Sequence, residues 1–168
     1  YWRDWSSDVC SSDLQPEGVQ VLCFAAYRRL HQYDWSQKLE CLKSIEEVTK
    51  RLIDEPRREK NIARDIAVLK EITDGVSLQV RAQYEDNPYP RWMKLSVPTR
   101  AKTIAEVCDD SKLQLYCEKI KTVTNPSILI AGCGTGQHSI ETASRFSNCK
   151  ATGVDLSLAS IAYAQRKT

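Results

Sequence analysis

The segment Ser127-Ile128-Leu129-Ile130-Ala131-Gly132-Cys133-Gly134-Thr135-Gly136 constrains the fold of this chain more than any other stretch. A short apolar run breaks into glycines at alternate positions. A buried strand that turns sharply, admits a ligand close to its backbone and enters a helix needs glycine at such points. Only glycine takes positive φ and close approach without steric cost. A second apolar run ends at Asp155, nineteen residues after Gly136. The pattern predicts a strand over 127–131, a helix over 137–146, a strand over 151–155 and a helix over 157–166. Strands alternating with helices imply a βαβ unit, a parallel sheet and a right-handed crossover.

The helix that starts near Gln137 aims free N–H groups and a partial positive charge at the loop, which suits an anionic or carboxylate-bearing ligand. Asp155 falls at the carboxyl end of the neighbouring strand, where open α/β sheets bind ligands and where a carboxylate accepts from ribose hydroxyls. No GK[ST] follows the glycines, which excludes a phosphate P-loop. A dinucleotide fingerprint has the spacing GxGxxG, and here the spacing is GxGxG. An adenosyl ligand without phosphates is therefore favoured over a pyrophosphate-bearing one. Cys133 reads as a small side chain packed beside a tight turn. His138 reads as a residue of the exposed first helical turn.

Upstream, residues 15–83 read as helical. Val19, Leu22, Cys23, Ala26 and Leu30 are spaced for one face of a helix over 18–31. Asp34 is a candidate cap for a second helix carrying Leu39, Leu42, Ile45, Val48 and Leu52. Pro56 suits the first turn of a third, with Ile62, Ile66, Leu69 and Ile72 on one face and Thr73-Asp74-Gly75 at its end. A shorter helix is expected over 76–84. The run Tyr84-Glu85-Asp86-Asn87-Pro88-Tyr89-Pro90-Arg91-Trp92 is extended, because prolines at alternate positions forbid a helix. It is either an aromatic connector packed over the next domain or a lid or wall of a pocket, with Tyr84, Asn87, Tyr89, Arg91 and Trp92 as the pocket candidates. One or two helices are expected over 101–116, interrupted near Asp109-Asp110-Ser111. The organisation is thus a helical region over 15–83, a connector with further helices over 84–126, and an α/β domain from 127.

A net charge of +2 leaves no electrostatic footprint for nucleic acid or an anionic membrane. No apolar run is long enough to span a bilayer. Seven cysteines without a CxxC pair, beside two histidines, give no zinc spacing and no redox pair. Free thiols fit a reducing cytoplasm. Asp4 to Leu14 reads DWSSDVCSSDL, which resembles one translated frame of a short-read sequencing adapter. Residues 1–14 are accordingly set aside from fold reasoning as a non-native segment. Both ends then read as truncations of a longer protein.

Ile128–Gly136 together with Val154-Asp155-Leu156-Ser157 resembles motifs I and II of class I S-adenosylmethionine-dependent methyltransferases. QYEDNPYPRW at 83–92, followed by LIAGCGTGQ and VDLSLASIAYAQRK, is similar to a group of bacterial proteins that join a helical, often tetratricopeptide-repeat, region to a methyltransferase domain. The resemblance covers about residues 73–168, and residues 15–72 fit only loosely. It implies an α/β fold class: an N-terminal all-helical region followed by the first βαβα part of a Rossmann-like methyltransferase sheet, incomplete at the C-terminus. It implies S-adenosyl-L-methionine as cofactor. Gly132, Gly134 and Gly136 would line its methionine and ribose parts, Asp155 would hold the ribose hydroxyls, and Leu156 would lie near the adenine. Ala131, Cys133 and Gln137 complete the cofactor-binding set. Many family members place an acid where this chain has Ala131, so one anchor for the methionyl ammonium is lost.

The implied reaction is methyl transfer to an acceptor that the sequence does not name. The residues that select the acceptor or act as a base would lie on later strands, so no catalytic residue is assigned. Two other readings stay open: a nicotinamide- or flavin-dependent oxidoreductase, and a non-catalytic helical module that binds a protein partner. Residues 73–168 alone are expected to bind cofactor poorly and to aggregate, since a two-strand parallel sheet leaves an edge open.

Overall fold

The computed structural model describes residues 16–39 and 43–168. The adapter-like segment, Cys41 and Leu42 lie outside the described residues. The chain forms two compact units, Tyr1–Asn61 and Ile62–Thr168.

In the first unit, α1 spans Gly18–Ala25. Its start is fixed locally, with the Glu17 N–H donating to Gln20 Oε1 at 2.9 Å. The helix stops well short of residue 31, and its buried side chains are Val21 and Phe24, while Val19 and Leu22 are 69% and 41% exposed. The expected apolar stripe was therefore the wrong face. The reason lies downstream: short 3-10 turns at Leu30–Gln32 and Asp34–Gln37 bring Leu30, Tyr33 and Trp35 back onto Phe24. Phe24 meets Tyr33 and Trp35 edge-on, with ring centroids 5.0 and 5.6 Å apart. Such aromatic pairs add about 0.5–1.5 kcal/mol beyond their burial. Asp34 opens a single 3-10 turn rather than capping a long helix.

After a further 3-10 turn at Lys43–Ile45, the backbone is helical without a break from 46 to 65. It comprises α2 (Glu46–Thr49), a π turn over Lys50–Asp54, and α3 (Glu55–Asp65). Pro56 thus lies in the first turn of α3, as expected, but α3 continues from the preceding π turn without a break. The wide π turn directly before it is where the ordinary i→i−4 ladder is already interrupted, which accommodates a residue without an N–H. Ile45 and Ile53 join the core, Leu39 and Val48 pack against it, and Leu52 is 37% exposed. Arg57 donates to Ser36 Oγ at 2.7 Å. α3 ends at Asp65, so Ile66, Leu69 and Ile72 extend no helical face, and Leu69 is 85% exposed.

In the second unit, α4 spans Gly75–Asp86 and is capped by Asp74, whose carboxylate accepts from Ser77 N at 2.7 Å. Thr73-Asp74-Gly75 therefore begins a helix rather than ending one. The helix also runs past residue 84, so the extended connector starts at Asn87. A single helix, α5 (Ile104–Asp110), occupies the region expected to hold one or two. Its capping box pairs Glu106 N with Thr103 Oγ1 and Thr103 N with Glu106 Oε2. A 3-10 turn follows at Glu118–Thr122.

The remaining elements alternate: β1 (Ser127–Ala131), α6 (Gln137–Arg145), β2 (Lys150–Val154) and α7 (Leu158–Lys167). The strands are parallel, in register from Ser127 opposite Lys150 to Ala131 opposite Val154. Among the described residues the result is mixed helix with a small two-stranded parallel sheet. Among the described residues, no helix is long and apolar enough to cross a membrane.

Candidate cofactor site

The glycine loop leaves the carboxyl end of β1 with all three glycines at positive φ: +69° at Gly132, +52° at Gly134 and +82° at Gly136. Their surroundings differ. A Cβ on Gly132 would meet nothing within 4 Å, and one on Gly134 would stand 4.0 Å from the Tyr89 carbonyl oxygen. A Cβ on Gly136 would fall 2.5 Å from the Ala164 Cβ. Gly136 is buried and serves as the N-cap of α6, and its bare Cα leaves room for Ala164 of α7.

Cys133 is 9% exposed, and its N–H donates to the Val154 carbonyl at 3.0 Å, tying the loop to the end of β2. Its sulfur would stand 2.9 Å from a Cβ at Gly153, so the glycine in β2 makes room for the thiol. Burial pushes the Cys133 pKa up, and the nearby Asp155 charge adds to the shift. The thiol stays protonated at neutral pH and behaves as a packed small side chain, as the spacing implies.

Asp155 directly follows β2. Its Oδ2 accepts from Gly134 N at 2.7 Å, and its Oδ1 accepts from Ser157 N at 2.9 Å. One carboxylate therefore joins the glycine loop to the turn that starts α7. Each of its oxygens keeps a second acceptor position. Leu156 beside it is 42% exposed. Ala131 is exposed at the end of β1, and Gln137 is half-buried with its amide donating to Glu141 Oε1 at 3.2 Å. His138 is exposed on the first turn of α6.

The aromatic connector packs onto this same loop. The Thr135 hydroxyl donates to the Pro90 carbonyl at 2.7 Å, and the Trp92 indole N–H donates to the Thr135 carbonyl at 2.9 Å. The Tyr163 hydroxyl donates to the Trp92 carbonyl. Arg91 stands 4.7 Å above the Tyr163 ring. Of the other pocket candidates, Tyr84 lies on α4 and is 42% exposed, Tyr89 is 75% exposed, and Asn87 donates to Asp86 at 3.0 Å. The structure thus brings Tyr89 and Trp92 to the loop through their backbone or indole, and it leaves Asn87 in a local turn.

Glu85 is absent from the residues that the sequence singles out for the site. Its carboxylate accepts from Leu158 N at 2.7 Å and from Ala159 N at 3.0 Å, holding the N-terminus of α7. An acid beside the connector was visible, but its target lies 73 positions downstream, beyond any local pattern. Arg81 supports it one helical turn earlier, at 3.4 Å.

No curated protein and no solved structure shows a significant match to the chain. One family model does match: residues 128–168, which hold β1 from its second residue, the glycine loop, α6, β2, Asp155 and α7, are similar to a methyltransferase domain.

Proposed function

We propose that this protein transfers a methyl group from S-adenosyl-L-methionine, and that the chain carries the cofactor-binding part of a class I methyltransferase. One observation carries the reading. Asp155 at the end of β2 is hydrogen-bonded to Gly134 in a three-glycine, positive-φ loop at the end of β1, inside the segment that matches a methyltransferase domain.

The residues present fit such a cofactor. Gly132 faces open space, so an adenosyl ligand can approach the backbone there without meeting a side chain. Asp155 keeps acceptor capacity for ribose hydroxyls after binding Gly134 and Ser157. Leu156 offers an exposed apolar side chain next to it for the adenine. When bound, the cofactor supplies an electrophilic methyl group on a sulfonium; the chain supplies binding and orientation. Gly136 acts differently from its neighbours, since it is committed to packing against Ala164.

Titration calorimetry of the full-length protein tests the reading. S-adenosylhomocysteine is expected to bind and NAD is not; NAD binding without S-adenosylhomocysteine binding would overturn it in favour of an oxidoreductase. Asp155→Ala is expected to weaken S-adenosylhomocysteine binding by about 10- to 100-fold, the range for hydrogen bonds to a charged group. Unchanged affinity would remove Asp155 from the ribose site.

A further inference from the structure

Residues 85–93 precede the methyltransferase-domain match, yet Glu85, Pro90, Trp92 and Met93 all hydrogen-bond to it. Glu85 holds the first two amides of α7. Pro90 and Trp92 grip Thr135 from two directions, one at its hydroxyl and one at its carbonyl. Tyr163 donates to the Trp92 carbonyl, and Lys167 Nζ donates to the Met93 carbonyl at 3.3 Å. The Trp92 and Tyr163 rings meet edge-on at 5.8 Å, and Lys167 stands 5.2 Å from the Trp92 ring.

Thr135 is the residue between Gly134 and Gly136, and it is 1% exposed. Glycines give up more backbone freedom on ordering than any other residue. A loop built on three of them needs an external hold to present one conformation to a ligand. Val154 and Asp155 hold the loop from the side of β2, and Thr135 is where a second hold is applied, by the strap of residues 85–93. The Tyr89 carbonyl, 4.0 Å from the Cβ position of Gly134, makes the strap a wall of the same loop.

We infer that the strap over 85–93 is an integral part of the cofactor site, with Trp92 a positioning residue that acts through Thr135 to hold the glycine loop in its ligand-binding conformation. The inference rests on the methyltransferase reading for the identity of the ligand, but not for the hold on the loop. Preorganisation of this kind raises affinity by lowering the ordering cost of binding.

Trp92→Phe keeps a six-membered aromatic ring and removes the pyrrole part of the indole with its N–H. Thr135→Val keeps the branched shape and removes the hydroxyl, and Thr135→Ser restores it. Hydrogen exchange on the ligand-free full-length protein reads the loop amides of Cys133, Gly134 and Gly136 against those of β1 and β2. Trp92→Phe and Thr135→Val are each expected to speed loop exchange about five- to tenfold. The strands should stay as in the wild type, and Thr135→Ser should behave like wild type. S-adenosylhomocysteine affinity, by calorimetry, should fall by a similar factor in the first two variants. Unchanged loop exchange would overturn the inference, and so would equal acceleration of loop and strands, which would make the strap a general brace. Accelerated loop exchange in the two variants, beside a wild type that binds no S-adenosylhomocysteine, would sink the methyltransferase reading while upholding the hold on the loop.

Discussion

Gly132 and Gly136 both take positive φ, yet substitution should affect them unequally. At Gly132 an alanine meets only the left-handed backbone penalty, about 1–2 kcal/mol. At Gly136 it meets that penalty and a Cβ contact of 2.5 Å with Ala164. Overpacking adds about 1–3 kcal/mol. Gly136→Ala is therefore expected to destabilise the protein by about 2–5 kcal/mol, and Gly132→Ala by less. Urea denaturation of the two variants checks the order. Equal losses would mean that the Gly136–Ala164 contact relaxes freely. The glycine spacing was legible in the sequence, but this division of labour was not. A motif shows that three glycines are needed; which neighbour presses on which one depends on a helix that follows 22 or more residues later.

At the scale of the element, α7 shows how completely a helix start can be satisfied. Its orphan amides go to Asp155, to Glu85 twice, and to Ser157 Oγ, which accepts from Ser160 N at 3.1 Å. Ser157 is fully buried. Ser157→Ala is expected to cost about 1 kcal/mol, with an upper range near 2. A fall in thermal midpoint, measured by circular dichroism, checks this; an unchanged midpoint would mean that water replaces the cap. The bounds of β1, α6, β2 and α7 were legible within a residue or so, because each begins or ends on a strong local signal: Asn125-Pro126, the glycines, Ser157. The helices of residues 18–72 were not. Leu22 and Leu69 fit a helical stripe, yet both are exposed. Periodicity shows that a face is apolar, but the partner that covers it is chosen by contacts such as Phe24 with Trp35.

For the second unit as a whole, the sheet presents one face to solvent. Ile130 is 7% exposed, while Leu129, its neighbour on the opposite face, is 67% exposed beside an exposed Thr152. Parallel sheets are stable when both faces are covered, and open strand edges template association. The chain is expected to self-associate with rising concentration, and Leu129→Thr, which keeps strand propensity, is expected to weaken this. Sedimentation velocity over a concentration series checks it. Identical behaviour of variant and parent would place the association elsewhere.

The sequence by itself determined the βαβα order, the parallel pairing, the glycine loop and the position of Asp155. All of these follow from short-range rules: strand and helix periods, proline and glycine geometry, and the crossover that a strand–helix–strand order requires. Only the tertiary structure decided that Asp155 holds Gly134, that Glu85 caps α7, and that Trp92 and Pro90 pin Thr135. Those bonds join residues more than twenty to more than seventy positions apart. A hydrogen bond needs its donor and acceptor within about 3 Å and well aligned. No local pattern carries that information, because it exists only once the strap and the sheet have packed.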